Sequence, residues 1–191
     1  MNEFFLAENR TVIESDIEIE QITVRNLDKW SQFAEPIRVE LENDYSIEKI
    51  EEVVINHKLF AQLLCTLSTI HDCAFFALIM NTDADKFISI FKSVIEVNQA
   101  YFDQDTAKKS KEKTDNTWFD SFQFLISKGH RHKDILDYSF GAFLEYLKAA
   151  QRNEQNSILS HSGVIRVAYH ANKKDFESYT KSLKNEIFHI A

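Results

Sequence analysis

The stretch Phe87-Ile88-Ser89-Ile90-Phe91-Lys92-Ser93-Val94-Ile95-Glu96-Val97-Asn98-Gln99-Ala100-Tyr101-Phe102 decides the fold class. Its apolar residues Phe87, Ile90, Phe91, Val94, Ile95, Val97 and Phe102 recur at three- and four-residue spacing, the repeat of an amphipathic helix buried along one face. The spacing predicts one long helix, central to its domain. Just before it, Asn81-Thr82-Asp83 supplies the short polar side chains that cap a helix start.

Working toward the N-terminus, the period changes. Residues 11–26 alternate apolar and polar, most clearly in Ile17-Glu18-Ile19-Glu20-Gln21-Ile22-Thr23-Val24-Arg25, and so predict one strand, or two in a ribbon with Phe4–Glu8. A two-stranded ribbon is marginal alone, so it should pack on the helices or on a neighbouring subunit, its edge serving self-association. From Asp28, read as a helix cap, Trp30, Phe33, Ile37 and Leu41 return to helical spacing. Pro36 should kink or restart that helix, because proline removes a backbone donor and crowds the preceding turn. Ser46 begins a helix with Ile47, Ile50, Val53 and Val54 on one face, and Leu59, Phe60, Leu63, Leu64 and Leu67 mark another.

Toward the C-terminus, residues 104–116 contain a single apolar member, Ala107, too little to offset the cost of ordering the segment. The expected organisation is therefore a strand-plus-helix domain over 1–103, a lysine-rich linker over 104–116 and a helical module over 117–191. In that module Trp118, Phe119, Phe122, Leu125 and Ile126 make a short helix stopped at Gly129, where glycine suits a left-handed cap. A helix from Phe140 continues through Ile158 and Val164 to Tyr169, and a last one carries Phe176, Tyr179 and Leu183 with Asp175 as its cap. The fold class is mostly α: a helical bundle with a short N-terminal ribbon and a second small helical module.

Composition agrees. Three glycines and one proline among 191 residues leave few positions for the tight turns of a hairpin-rich sheet. The 44% hydrophobic content, with 16 phenylalanines, supplies a core. The net charge of −8 disfavours nucleic-acid binding. Residues 1–103 hold 19 acidic and 8 basic groups, net −11, and residues 104–191 hold 11 and 14, net +3. No apolar run of membrane-spanning length and no basic-apolar leader is present, so neither membrane insertion nor secretion is expected.

Catalytic and metal chemistry find little support. Cys65 and Cys73 lack close CxxC spacing, and the His130/His132 pair lacks a carboxylate or cysteine partner at ligand spacing, so a metal cage is not expected. Glu186 and His189 form a lone Glu-x-x-His, where a di-metal bundle uses two. Gly129, Gly141 and Gly163 stand apart, which excludes the usual phosphate loops. His71-Asp72-Cys73 puts adjacent side chains on different sides of a helix. Arg166 and His170 have one residue too few between them for the Arg-x-x-x-x-His pattern of helical ribonucleases. No enzyme, cofactor or metal is expected.

Two stretches resemble a known family. Ile90–Phe102 is similar to the helix ending in V-N-x-x-(F/Y)-F of the tail assembly chaperones, or pre-tape-measure proteins, of long-tailed bacteriophages and prophages. Gly129-His130-Arg131-His132-Lys133-Asp134-Ile135-Leu136-Asp137-Tyr138-Ser139, with Phe143–Arg152 and Arg166–Ala171, resembles the G-H-x-x-x-D-I-x-x-Y-(S/T) turn and following helices of related small tail proteins. The resemblance implies a non-enzymatic protein of the host cytoplasm that binds the tape-measure protein and recruits tail-tube subunits. A bacterial helical adaptor or regulator acting through protein contacts shares every compositional feature, and an adjacent tape-measure gene separates the two. Trp118, Phe119, Phe122 and Phe124 cover more than one helix face; core packing is the default explanation, and the excess marks a docking surface. The expected partner-binding set is Trp118, Phe119, Phe122, Tyr138 and Phe143.

Overall fold

The computed structural model describes residues 3–58, 61, 79, 82–103, 117–170 and 172–187. The helix expected around Leu59–Leu67, most of the Cys73–Met80 run, Cys65, His71, His189 and the linker over 104–116 lie outside them. Two compact units divide the chain, residues 1–147 and 148–191. The fold is mostly α with a two-stranded antiparallel sheet near the N-terminus.

In the first unit, helix α1 (Glu3–Ala7) precedes strands β1 (Val12–Glu14) and β2 (Ile17–Ile19). The ribbon thus forms within 11–26, and Phe4–Glu8 is not its second strand. Ser15 and Asp16 both adopt positive φ, 53° and 65°, the two-residue turn whose twist matches a hairpin. Register sets Val12 opposite Ile19 and Glu14 opposite Ile17, which buries Ile17 and Ile19 and leaves Glu18 exposed. The ribbon packs on the central helix, and Ser89 Oγ donates to Glu14 Oε1 at 2.7 Å.

A 3-10 turn (Val24–Asn26) leads directly into α2 (Leu27–Leu41). Asp28 therefore lies in the first turn and is not the cap. Pro36 neither ends nor restarts α2. Burial of Trp30, Ala34, Ile37 and Leu41 on one face outweighs the one ladder bond that proline removes. Helix α3 (Ile47–Asn56) starts at Ser46, whose side chain accepts from Lys49 N, and buries Ile50, Val53 and Val54 against the core.

The central helix is two pieces, α4 (Ala84–Val97), capped by Asp83, and α5 (Gln99–Phe102). The break falls at Asn98, which is 4% exposed. Its Oδ1 accepts from Ile22 N at 2.7 Å and its Nδ2 donates to Val94 O at 3.0 Å. A side chain that competes for backbone groups ends a helix, and here it also satisfies a buried amide of the N-terminal segment.

Helix α6 (Trp118–Ser127) is fixed at both ends. Thr117 and Asp120 form a capping box, and at the other end Gly129 (φ 99°) and His130 donate back to Ile126 O and Leu125 O, the Schellman arrangement. Helix α7 (His132–Asp137) follows, then α8 (Phe140–His170).

The break expected across 104–116 is not where the units part. Val24 N donates to Tyr138 O, Phe140 N donates to Ile22 O, and Ser139 Oγ donates to Leu6 O. These long-range bonds, with Ile135, Phe140 and Phe143 buried, place residues 117–147 in the same unit as the N-terminal segment. The division falls inside α8 instead. Because residues 104–147 carry seven charges of each sign, the relocated boundary leaves the balance at −11 and +3.

The second unit holds α8 from Lys148 to His170 and α9 (Lys173–Ile187). Asn172, not Asp175, opens α9: its Oδ1 accepts from Asp175 N at 3.0 Å. No described helix is long and apolar enough to cross a membrane.

A candidate partner-binding groove

A groove of about 430 Å³ opens in the first unit, walled by Val24, Leu27, Tyr101, Trp118, Phe122 and Leu136. Arg25, Asp28 and Ser31 supply its polar rim. Each wall has a local cause. The 3-10 turn swings Val24 and Leu27 inward, and the capping box fixes the first turn of α6, from which Trp118 and Phe122 project one helical turn apart.

Those two rings rest on an aromatic ladder. Trp118 lies 5.7 Å from Phe143 and 6.4 Å from Phe140, Phe140 lies 5.9 Å from Tyr101, and Tyr101 lies 5.0 Å from Trp30. Phe122 meets Phe143 at 5.8 Å and His132 at 5.8 Å. Edge-on and tilted pairs at these separations are favourable beyond their buried area.

Behind the groove, Tyr101 Oη donates to Glu35 Oε2 at 3.0 Å, and Arg38 binds both oxygens of Glu35. The Arg38 guanidinium holds the Glu35 carboxyl below its usual range, opposed in part by burial and helped by Tyr101. Burial and the Glu35 carboxylate push the Tyr101 phenol well above its ordinary value. At the rim, Arg25 pairs with Asp137 at 2.5 Å, joining the 3-10 turn to α7.

The five aromatics expected from sequence occupy four environments. Trp118, 50% exposed, and half-buried Phe122 line the groove. Phe119, 77% exposed, stands beside Phe122 at 6.4 Å, and Phe143 is buried against Trp118 and Phe122. Tyr138 lies elsewhere: its hydroxyl meets His130 Nδ1 at 2.9 Å and its ring lies 5.0 Å from Tyr146. Val24, Leu27, Tyr101 and Leu136 escaped sequence reading, since each belongs to a segment whose periodicity marks it as ordinary core.

His130 is engaged by Tyr138, and His132 packs on Phe122. Among the described residues no group of three His, Cys, Asp or Glu side chains is arranged to hold a metal ion. A second depression, on α2 and α3, is bordered by Glu35, Glu40, Glu42 and Glu52 with Lys49 and His57. There Glu40 accepts from Asn56 Nδ2 at 2.7 Å and contacts His57, tying the two helices. Comparison of the chain with known protein families, with curated proteins and with solved structures finds no match.

Proposed function

We propose that this chain is a non-enzymatic tail assembly chaperone of the phage or prophage kind, which binds the tape-measure protein and recruits tail-tube subunits in the host cytoplasm. The observation that carries the reading is the groove, six apolar walls around about 430 Å³ with a half-exposed tryptophan at its mouth. Such a groove suits an amphipathic helix, which lays anchors from successive turns into apolar pockets. A tape-measure protein is a long helical chain, and covering its apolar face keeps it from aggregating. At the rim Asp28 and Ser31 supply polar groups to orient the bound helix, while Arg25 is held by Asp137. The opposite net charges of the two units, −11 and +3, suit a protein that meets two different partners.

The test is co-expression with the protein encoded immediately beside it. A larger soluble fraction of that neighbour, lost in the Trp118→Ala/Phe122→Ala double variant, is the expected result. An unchanged insoluble fraction with the unaltered chain overturns the proposal. Binding has its own optical signal, because Trp118 is half exposed whereas Trp30, the other tryptophan, is fully buried: helix binding should shift tryptophan emission to shorter wavelength in the unaltered chain and leave a Trp118→Phe variant unchanged.

A further inference from the structure

Two charged residues line the groove, Arg25 and Asp28, and they stand differently. The Arg25 guanidinium reaches Asp137 Oδ1 at 2.5 Å. The Asp28 side chain is exposed, and its carboxylate has no hydrogen-bond or ion-pair partner among the described residues; Ser31 Oγ donates at 3.0 Å to the Asp28 backbone carbonyl instead. Every other acidic side chain of α2, α6 and α7, three of the elements that wall the groove, is engaged: Glu35 by Arg38, Glu40 by Asn56, Asp120 by Thr117, Asp134 by Arg131 and Asp137 by Arg25. The lysines of the same helices, Lys29 and Lys133, do not line the groove. What the groove offers a ligand is therefore one uncompensated negative charge beside apolar walls.

Two further features favour a cation there. Trp118 lines the same groove and is half exposed, and an indole face attracts ammonium and guanidinium groups more strongly than any other side-chain ring. The long stem of lysine or arginine also packs on apolar surface while its head reaches a polar group. At longer range, the first unit carries a net −11, a field that draws positively charged segments toward it and repels negatively charged ones.

We infer that the helix this groove takes is a basic one: an amphipathic segment whose apolar anchors fill the walls and whose adjoining lysine or arginine is taken by Asp28 and by the exposed ring of Trp118. The inference rests on the groove being a helix-binding site and adds the chemistry of what it selects. An acidic amphipathic helix with the same anchors meets Asp28 as a like charge and is discriminated against.

Two dye-labelled synthetic peptides with capped ends test it, both carrying leucine at i, i+3, i+4 and i+7, one with lysine and the other with glutamate at the flanking positions. Fluorescence anisotropy against the full chain should show the lysine peptide binding at least about tenfold tighter at low ionic strength, with the difference narrowing as salt is added. Asp28→Asn should weaken the lysine peptide about two- to fivefold and strengthen the glutamate peptide, because the like charge is gone; unchanged circular dichroism shows that the fold is kept. Trp118→Leu, which keeps an apolar wall and removes the ring, should also lower the ratio of the two affinities. Equal affinities for the two peptides overturn the inference and leave the groove a helix site without charge preference. A preference that Asp28→Asn leaves unchanged belongs to the net charge of the unit and overturns it as well. Binding of neither peptide removes the groove as a helix site, and with it both this inference and the reading on which it rests.

Discussion

Asn98 shows how much one side chain can decide. Its amide both ends α4 and holds the Ile22 N–H, a buried donor that no strand pairs. Asn98→Leu keeps the volume and leaves that donor unpaired, a loss of about 1–3 kcal/mol, to be read as a lower urea midpoint with unchanged slope. Titratable residues tie the same region to pH. Glu35 has a folded pKa below its ordinary 4.5, so its stabilisation is complete above that value and lost as pH falls through the folded pKa. Glu35→Gln should therefore flatten the dependence of the urea midpoint on pH in that acid range and leave its slope near neutrality unchanged. Tyr45 is shifted the other way, pushed up to about 12 by burial and by Asp103. Its contribution is present below pH 10 and lost as pH rises toward about 12, and Tyr45→Phe should remove that part of the alkaline loss, measured by circular dichroism against pH.

Among the elements, the ribbon and the helices differ in how plainly sequence announces them. Helix faces were legible because burial and spacing share one period: Ile50, Val53 and Val54 on α3, and Phe87 to Val97 on α4, are buried as their spacing requires. Gly129 was legible for a different reason, since a left-handed residue after an apolar helical run has few other uses. The hairpin turn was not, because Ser15-Asp16 lacks the glycine that usually marks such a turn, although Asp tolerates positive φ. Replacing it by Asn-Gly should raise the melting midpoint by the equivalent of about 0.5–1 kcal/mol, as relief of two strained φ angles. The polar and aromatic markers of the Ile90–Phe102 and Gly129–Ser139 stretches are structural. Asn98, Phe102, Ile135 and Ser139 are buried, and His130 and Tyr138 hold each other across the turn.

For the whole molecule, the unit boundary matters most. Residues 117–147 read as the start of a separate module, yet their backbone bonds to Ile22, Val24 and Leu6 make them part of the first unit. A chain ended at Leu147 should accordingly melt in one cooperative transition, whereas a chain ended at Asp103 should not; differential scanning calorimetry distinguishes them. The groove depends on the same long-range closure, since Val24 and Leu27 come from one end of the unit and Trp118, Phe122 and Leu136 from the other. By itself the sequence determined the helical class, the N-terminal ribbon, most helix faces and the cap at Gly129, because each is encoded by residues a few positions apart. Tertiary structure alone decided where the central helix breaks, where the units divide and which aromatics of the 118–143 stretch face outward. Those depend on which distant backbone groups and side chains meet, and periodicity records that a face is apolar without recording what covers it.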